Sequence, residues 1–314
     1  MTIPVVTRMS KIGHEFRLVL CDLWGVIHNG RQVFPSAVDC LRQFKRSGSV
    51  VYLVSNAPRP SSAVVPQLRQ LGVDDVCYHG LVTSGDITRA ALNGDAPFDG
   101  QATDRENFAP PGSACLHIGP ERDSALFEGL ACVRLTGAAE TALIRADFIL
   151  CTGLFDDDAE TAADYRPLLS KAVNLDLVMI CANPDLTVVR GSTLISCAGA
   201  IAAEYEGLGG VVQYFGKPYP EIYDLCLSKW KDDAGPGGAD VQLQGKQILS
   251  IGDSFRTDIA GARNMGFRSV LIADGIHSEE FGTEPGQLPT QEKIDTICRD
   301  CGYAPDAVMA TLTW

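Results

Sequence analysis

Four short segments put carboxylates, a hydroxyl and a lysine at the ends of apolar runs. Asp22 closes the run Leu18-Val-Leu-Cys21 and is followed by Leu23, Trp24 and Gly25. A carboxylate at the carboxyl end of a buried strand sits where open α/β sheets bind ligands. Residues two apart on a strand share a face, so Asp22 and the Trp24 backbone are expected in one crevice, with the indole beside any group bound there. Ser55 and Asn56 follow the run Val50 to Val54, where a hydroxyl and exposed amides can receive phosphate oxygens. A plain turn explains Ser-Asn-x-Pro equally well. Lys217, in Gly216-Lys-Pro218-Tyr-Pro220, stands on a backbone stiffened by two prolines. Taken alone it reads as an exposed charge near a helix start. The most specific segment is Gly252-Asp253-Ser254-Phe-Arg-Thr257-Asp258. A carboxylate after a buried strand, with a second at the next helix start, suits Mg²⁺, which takes a few hard oxygens plus water and substrate phosphate. Asp258 also fits as a helix cap.

The elements that must hold these groups can be read from periodicity. Strands are expected at Leu18 to Cys21, Val50 to Val54, Gln247 to Ile251 and Ser269 to Ala273, with helices over Ser36 to Gly48, Glu221 to Trp230 and Asp258 to Gly266. Short buried strands alternating with helices imply a parallel sheet covered on both faces. Between about Ser84 and Gln213 a second alternation runs through Ala114 to Ile118, Phe148 to Cys151 and Leu177 to Cys181, with helices at Asp164 to Val173 and Ser196 to Tyr205. The reading is an α/β chain with a Rossmann-like, doubly wound parallel core from residues 1–83 and 214–314, and an inserted α/β domain at 84–213. Residues 93–113 and 232–240 read as exposed loops.

The chain has 314 residues, a 46% hydrophobic fraction and a formal charge of −13. That charge repels nucleic acid, while small phosphorylated ligands need only local cations, and Arg59, Lys217 and Arg256 adjoin the site strands. No apolar run is long enough to span a bilayer, and the 11 scattered cysteines suit a reduced, cytoplasmic protein with no membrane partner. Cys298 and Cys301 read as helix-face residues rather than a zinc or redox pair. Asp156, Asp157 and Asp158 read as a solvated loop rather than a metal site.

In combination the four segments resemble the haloacid dehalogenase superfamily, and the resemblance covers nearly the whole chain. The long insertion with Ala182-Asn183-Pro184-Asp185 and Cys197-Ala-Gly-Ala200 is similar to the cap of the class IIA branch, which includes sugar-phosphate, nucleotide and phosphoglycolate phosphatases. The resemblance implies Asp22 as nucleophile, Ser55 and Lys217 as its catalytic companions, and a Mg²⁺ ion held by Asp22, the Trp24 carbonyl, Asp253 and Asp258. It implies Asn56, Ser254 and the cap residues Asn183 and Asp185 near the substrate, although Asn-Pro-Asp also reads as a turn shaping the cap. The expected partner is a small phosphorylated metabolite, with a homodimer through the cap left open.

One position departs from the family pattern. Where its phosphatases carry a second aspartate to protonate the leaving oxygen, this chain has Trp24, and an indole cannot exchange that proton. Loss of a general acid costs about 10²–10⁴ in rate. Three readings follow: an Mg²⁺-dependent phosphate-ester hydrolase of reduced power, with His28 the nearest replacement acid; a P–C hydrolase; and a non-catalytic protein that binds a phosphorylated ligand. Dehalogenation fits poorly, because dehalogenases lose the acidic pair that Asp253 and Asp258 preserve.

Overall fold

The computed structural model describes residues 2–94, 112–135, 139–233 and 243–314, with the side chain of residue 232 left out. The loops expected at 93–113 and 232–240 lie for the most part outside the described residues.

The strands, in chain order, are β1 (Leu18–Cys21), β2 (Val50–Ser55), β3 (Gly80–Thr83), β4 (Ala114–Ile118), β5 (Val133–Arg134), β6 (Phe148–Cys151), β7 (Val178–Cys181), β8 (Thr187–Arg190), β9 (Thr193–Ser196), β10 (Val211–Tyr214), β11 (Ile248–Gly252), β12 (Arg268–Ile272) and β13 (Ala307–Met309). They form three sheets. The six-stranded sheet has the order β13-β12-β11-β1-β2-β3, the five-stranded sheet β10-β7-β6-β4-β5, and β8 and β9 form an antiparallel pair. Every pairing in the two larger sheets is parallel. All four β1 residues are buried, and their side chains alternate between two cores. Val19 and Cys21 join the cluster holding Leu41 and Phe44, whereas Leu18 and Leu20 join the one holding Tyr223 and Trp230. A strand buried on both faces needs no polar alternation, which is why its sequence is a continuous apolar run.

The six-stranded sheet carries the site. β1 and β11 are neighbours, with Cys21 opposite Ile251, and the strand order runs outward in both directions from this pair. That junction is the topological switch point, and Asp22 and Asp253 stand just past the carboxyl ends of its two strands.

Local differences from the sequence reading have physical causes. The helix expected from Asp258 begins earlier, as a wide turn over Phe255–Ile259 in which Ile259 N donates to Ser254 O at 3.1 Å, and continues as Ala260–Met265. The 11-residue helix Ser61–Leu71 contains Pro66, and such a proline masks a helical pattern in sequence. The hairpin β8–β9 is only partly buried and mixes polar with apolar residues, and β13, though apolar and buried, is three residues long, so neither stands out. Cys298 lies on the helix Gln291–Cys301, with Cys301 its last residue, and both are free thiols. Among the described residues no helix is long and apolar enough to cross a membrane.

Candidate active site

Lys217 is the centre of the site. Its Nζ lies 2.6 Å from Asp22 Oδ1 and 2.7 Å from Asp258 Oδ1, and its side chain is 3% exposed. Burial opposes its charge, yet the carboxylates of Asp22 and Asp258 outweigh burial and hold its pKa well above the usual lysine range. The exposed charge expected for this lysine in isolation is therefore a buried one, because two carboxylates compensate it.

Asp22, Asp253 and Asp258 each bring a carboxylate oxygen within 4.8 Å of the others, the one such cluster of potential metal ligands among the described residues. Burial raises the pKa of Asp22 to about 7, against the pull of Lys217, and burial together with the neighbouring Asp22 carboxylate pushes Asp253 well up. With all three carboxylates ionised against one ammonium, two negative charges would be left uncompensated in a buried site, and that cost is part of what lifts Asp22 and Asp253. Hard oxygens carrying that excess fit a divalent cation in both donor type and charge.

The surrounding backbone fixes the acids. Asp253 Oδ2 accepts a hydrogen bond from Ile276 N at 2.8 Å, in the turn after β12. Asp258 Oδ2 accepts from Ser254 N at 3.2 Å, so Asp258 folds back toward its own strand end and toward Lys217. Ser254 supplies the helix cap that Asp258 was expected to provide, accepting from Thr257 N at 3.4 Å. Gly25 has φ +76°, and a Cβ there would lie 1.8 Å from Asp253 Oδ2. Only glycine lets the loop after β1 cross so close to the carboxylate.

Asn56 ties three segments together. Its Oδ1 accepts from Lys217 N at 2.7 Å, and its Nδ2 donates to Lys217 O at 3.1 Å and to Asp185 Oδ1 at 2.9 Å. Ser55 Oγ accepts from Ala57 N at 3.2 Å, so the turn reading and a place at the site both hold for Ser55. Asn183 Oδ1 accepts from Asp185 N at 3.1 Å, forming the turn that presents Asp185.

A cleft of about 1000 Å³ opens over these groups, lined by Asp22, Trp24, Ser55, Asn56, Asn183, Asp185, Asp253 and Ser254. Lys217 and Asp258 sit buried beneath it. The ten positions singled out from sequence thus converge on one place. His28 does not join them. It is buried, burial lowers its pKa to about 4, and its Nδ1 accepts from Gly30 N at 3.0 Å. A neutral imidazole committed to the loop backbone is not a proton donor to the cleft.

Three features were not legible in sequence. The Trp24 indole lies edge-on to His28, and its Nε1 donates to Val189 O in β8 at 2.7 Å. Beside that bond, Gly191 N donates to Asn29 O at 2.9 Å, so the loop after β1 holds the β8–β9 hairpin at two points. Arg59 meets Asp123 at 3.5 Å in the cleft wall, pairing the loop after β2 with the segment after β4. Asp157, expected in a solvated loop, is largely buried between Arg122 at 2.5 Å and Arg190 at 3.4 Å, because two guanidiniums neutralise it. Each of these contacts joins residues far apart in the chain, where no local pattern can announce them.

Comparison with known proteins agrees with this geometry. A haloacid dehalogenase-like hydrolase model matches residues 19–130, and a second HAD-hydrolase-like model matches residues 214–302. A solved haloacid dehalogenase-like hydrolase from Brucella suis 1330 is 33% identical, covers 98% of this chain and 100% of its own, and superposes with a TM-score of 0.79. This chain belongs to the haloacid dehalogenase-like hydrolases. Among curated relatives, D-glycerol 3-phosphate phosphatase of Mycobacterium tuberculosis is 25% identical over 90% of this chain and 70% of its own length. Ribonucleotide monophosphatase NagD of Escherichia coli is 22% identical over 89% of this chain and 98% of its own. These relatives support the class IIA branch, whose cap corresponds here to the inserted five-stranded sheet and its hairpin.

Two predictions follow from the contacts. Gly25→Ala will push Asp253 from its position and weaken divalent-cation binding about 10–100-fold while leaving the circular dichroism unchanged. Calorimetric titration with Mg²⁺ checks this, and an unaltered affinity would contradict the cradle. Trp24→Phe keeps an aromatic ring but removes the donor to Val189, a loss of about 1 kcal/mol, so amide exchange in residues 187–196 should accelerate about fivefold. Equal exchange in the two proteins would mean that the indole bond does not hold the hairpin.

Proposed function

We propose that this chain is a phosphoric monoester hydrolase that requires Mg²⁺ and works through an aspartyl-phosphate on Asp22. The observation that carries the proposal is Lys217 buried between Asp22 and Asp258, with Asp253 completing a pocket of excess negative charge open to the cleft. The relatives named above, a D-glycerol 3-phosphate phosphatase and a ribonucleotide monophosphatase, support the same reaction class.

In the proposed reaction Asp22 presents an oxygen to phosphorus. Its other companion groups have complementary tasks. Lys217 neutralises negative charge beside the attacking carboxylate, where two like charges would otherwise meet. The Ser55 hydroxyl and the amides of its turn receive the non-transferring oxygens, and Asn56 holds Lys217 in register with that turn. Asp22, Asp253 and the Trp24 carbonyl would hold the Mg²⁺, with Asp258 behind them, and the bound ion would supply charge neutralisation for the phosphoryl group. Asp22 attacks, the ester oxygen leaves, and water then hydrolyses the acyl phosphate to free Asp22 and inorganic phosphate.

The cap surface bounds the leaving group. Arg59, Arg122, Arg190 and Arg256 all line the cleft, and the first three are paired with carboxylates. Substrates are therefore proposed to be small phosphorylated metabolites of the sugar-phosphate or nucleotide type. A P–C hydrolase needs a cap lysine at the site, and among the described residues no lysine lines the cleft.

The test is phosphate release with Mg²⁺ from acetyl, aryl, sugar and nucleotide monophosphates, with Asp22→Asn as the blank. Release by the wild type, lost in Asp22→Asn and on chelation of the metal, is the expected result. No release above the blank from any substrate, together with unimpaired ligand binding, would favour a binding protein instead.

A further inference from the structure

The position that carries an aspartate in catalytically complete phosphatases of this type is occupied by Trp24, and its indole is committed to Val189 O. The nearest histidine in the sequence, His28, is buried outside the cleft lining, with its Nδ1 accepting from Gly30 N. A proton for the leaving oxygen must then come from elsewhere in the cleft wall.

Asp185 is a carboxyl in that wall, tied to the site through Asn56. It lines the same cleft as Asp22, Ser55 and Asn56 and is partly open to it. Its Oδ1 is bound by Asn56 Nδ2 at 2.9 Å. Asn56 therefore bonds both Asp185 and the backbone of the lysine whose side chain reaches Asp22. The charge of Asp185 acts directly on Asp22, raising its pKa. Asp185 is also held rigidly. Its backbone N donates to Asn183 Oδ1 at 3.1 Å and its backbone O accepts from Gly199 N at 3.1 Å. A Cβ at Gly199 would come within 2.5 Å of that Asp185 oxygen, so the helix Ala198–Gly207 packs its first turn directly onto this turn.

Resting on the phosphatase reading above, we propose that Asp185 is the proton donor to the leaving group, replacing from the cap the carboxyl that the core has lost to Trp24. Asn56 fixes one carboxyl oxygen, which leaves the other for the proton and the substrate. As Asp22 Oδ bonds to phosphorus and the P–O bond to the leaving group breaks, the Asp185 carboxyl proton passes to the departing oxygen. In the second step the Asp185 carboxylate accepts a proton from the water that attacks phosphorus, the Asp22–phosphate bond breaks, and Asp185 returns to its acid form. Atoms and protons balance with water as the sole co-reactant.

The electrostatics of the turn agree with this. Burial raises the Asp185 pKa above the ordinary aspartate value, opposed by Lys217, Asn56 and Arg256 and aided by Asp258. Asp22 and the thiols of Cys181 and Cys197 are the other titratable groups that feel its charge. Proton donation from the cap also makes catalysis depend on cap placement, which gives the Trp24 to Val189 bond a purpose beyond packing.

The test compares wild type with Asp185→Asn on two phosphate classes, 4-nitrophenyl phosphate and glycerol phosphate, with Mg²⁺. Asparagine keeps the acceptor for Asn56 and the size of the side chain, and the Mg²⁺-induced rise in melting temperature confirms that the site still assembles. The expected result is a loss of about 10²-fold or more for the alkyl ester and under about tenfold for the aryl ester, whose weakly basic leaving group needs no proton. Asp185→Glu should regain part of the alkyl activity. Equal losses for the two esters, or none, would overturn the proposal and assign Asp185 to substrate binding or cap shape. A wild type inert toward both esters would overturn the phosphatase reading itself, and this inference with it.

Discussion

The structure depends on a buried charge imbalance. Three carboxylates, Asp22, Asp253 and Asp258, meet one ammonium, Lys217, in a place that water reaches poorly. Removing ions from water costs several kcal/mol each, and a buried pair repays this only when its geometry and remaining hydrogen bonds are satisfied. The chain meets the condition from several directions. Ile276 N serves Asp253, Ser254 N serves Asp258, and Asn56 fixes the backbone of Lys217 from both sides. What stays uncompensated is the negative charge that the three carboxylates carry when all are ionised, and in the proposed function a divalent cation relieves it.

Parallel strands make the arrangement possible. Because β1 and β11 are adjacent and parallel, Asp22 and Asp253 emerge side by side at the switch point, although more than two hundred residues of chain lie between them. The intervening sequence builds a second parallel sheet and returns at Tyr214, which delivers Lys217 beneath the acids and Asp185 above them. Asn56 is the stitch between the two units. The motif after β2, the lysine segment and the cap turn all end on that one amide, so the cleft is closed by hydrogen bonds rather than by an apolar seam alone.

Much of this was readable in the sequence because the informative residues are short-range. An apolar run ending in Asp22, Gly-Asp before a helix start, and Lys217 among prolines each declare themselves locally, and the strands buried on both faces appear as unbroken apolar runs. Misreadings arose where the deciding partner is remote. Lys217 looked exposed until Asp22 and Asp258 were brought to it, and Asp157 looked solvated until Arg122 and Arg190 enclosed it. His28 looked available as an acid until burial and the Gly30 amide claimed it. Trp24 was visible as a lost carboxylate, but its grip on the cap hairpin was not, since nothing in the residues around Trp24 points to Val189.

The central claim is that Asp22 itself becomes phosphorylated, and acid quenching tests it most directly. The Mg²⁺-loaded protein would be mixed with acetyl phosphate, quenched in acid within milliseconds to seconds, digested and analysed by mass spectrometry. The account predicts a phosphoryl adduct, labile at alkaline pH, on the peptide containing Asp22 and absent from Asp22→Asn. Phosphate release without any such adduct at any quench time, or an adduct on another residue, would contradict it.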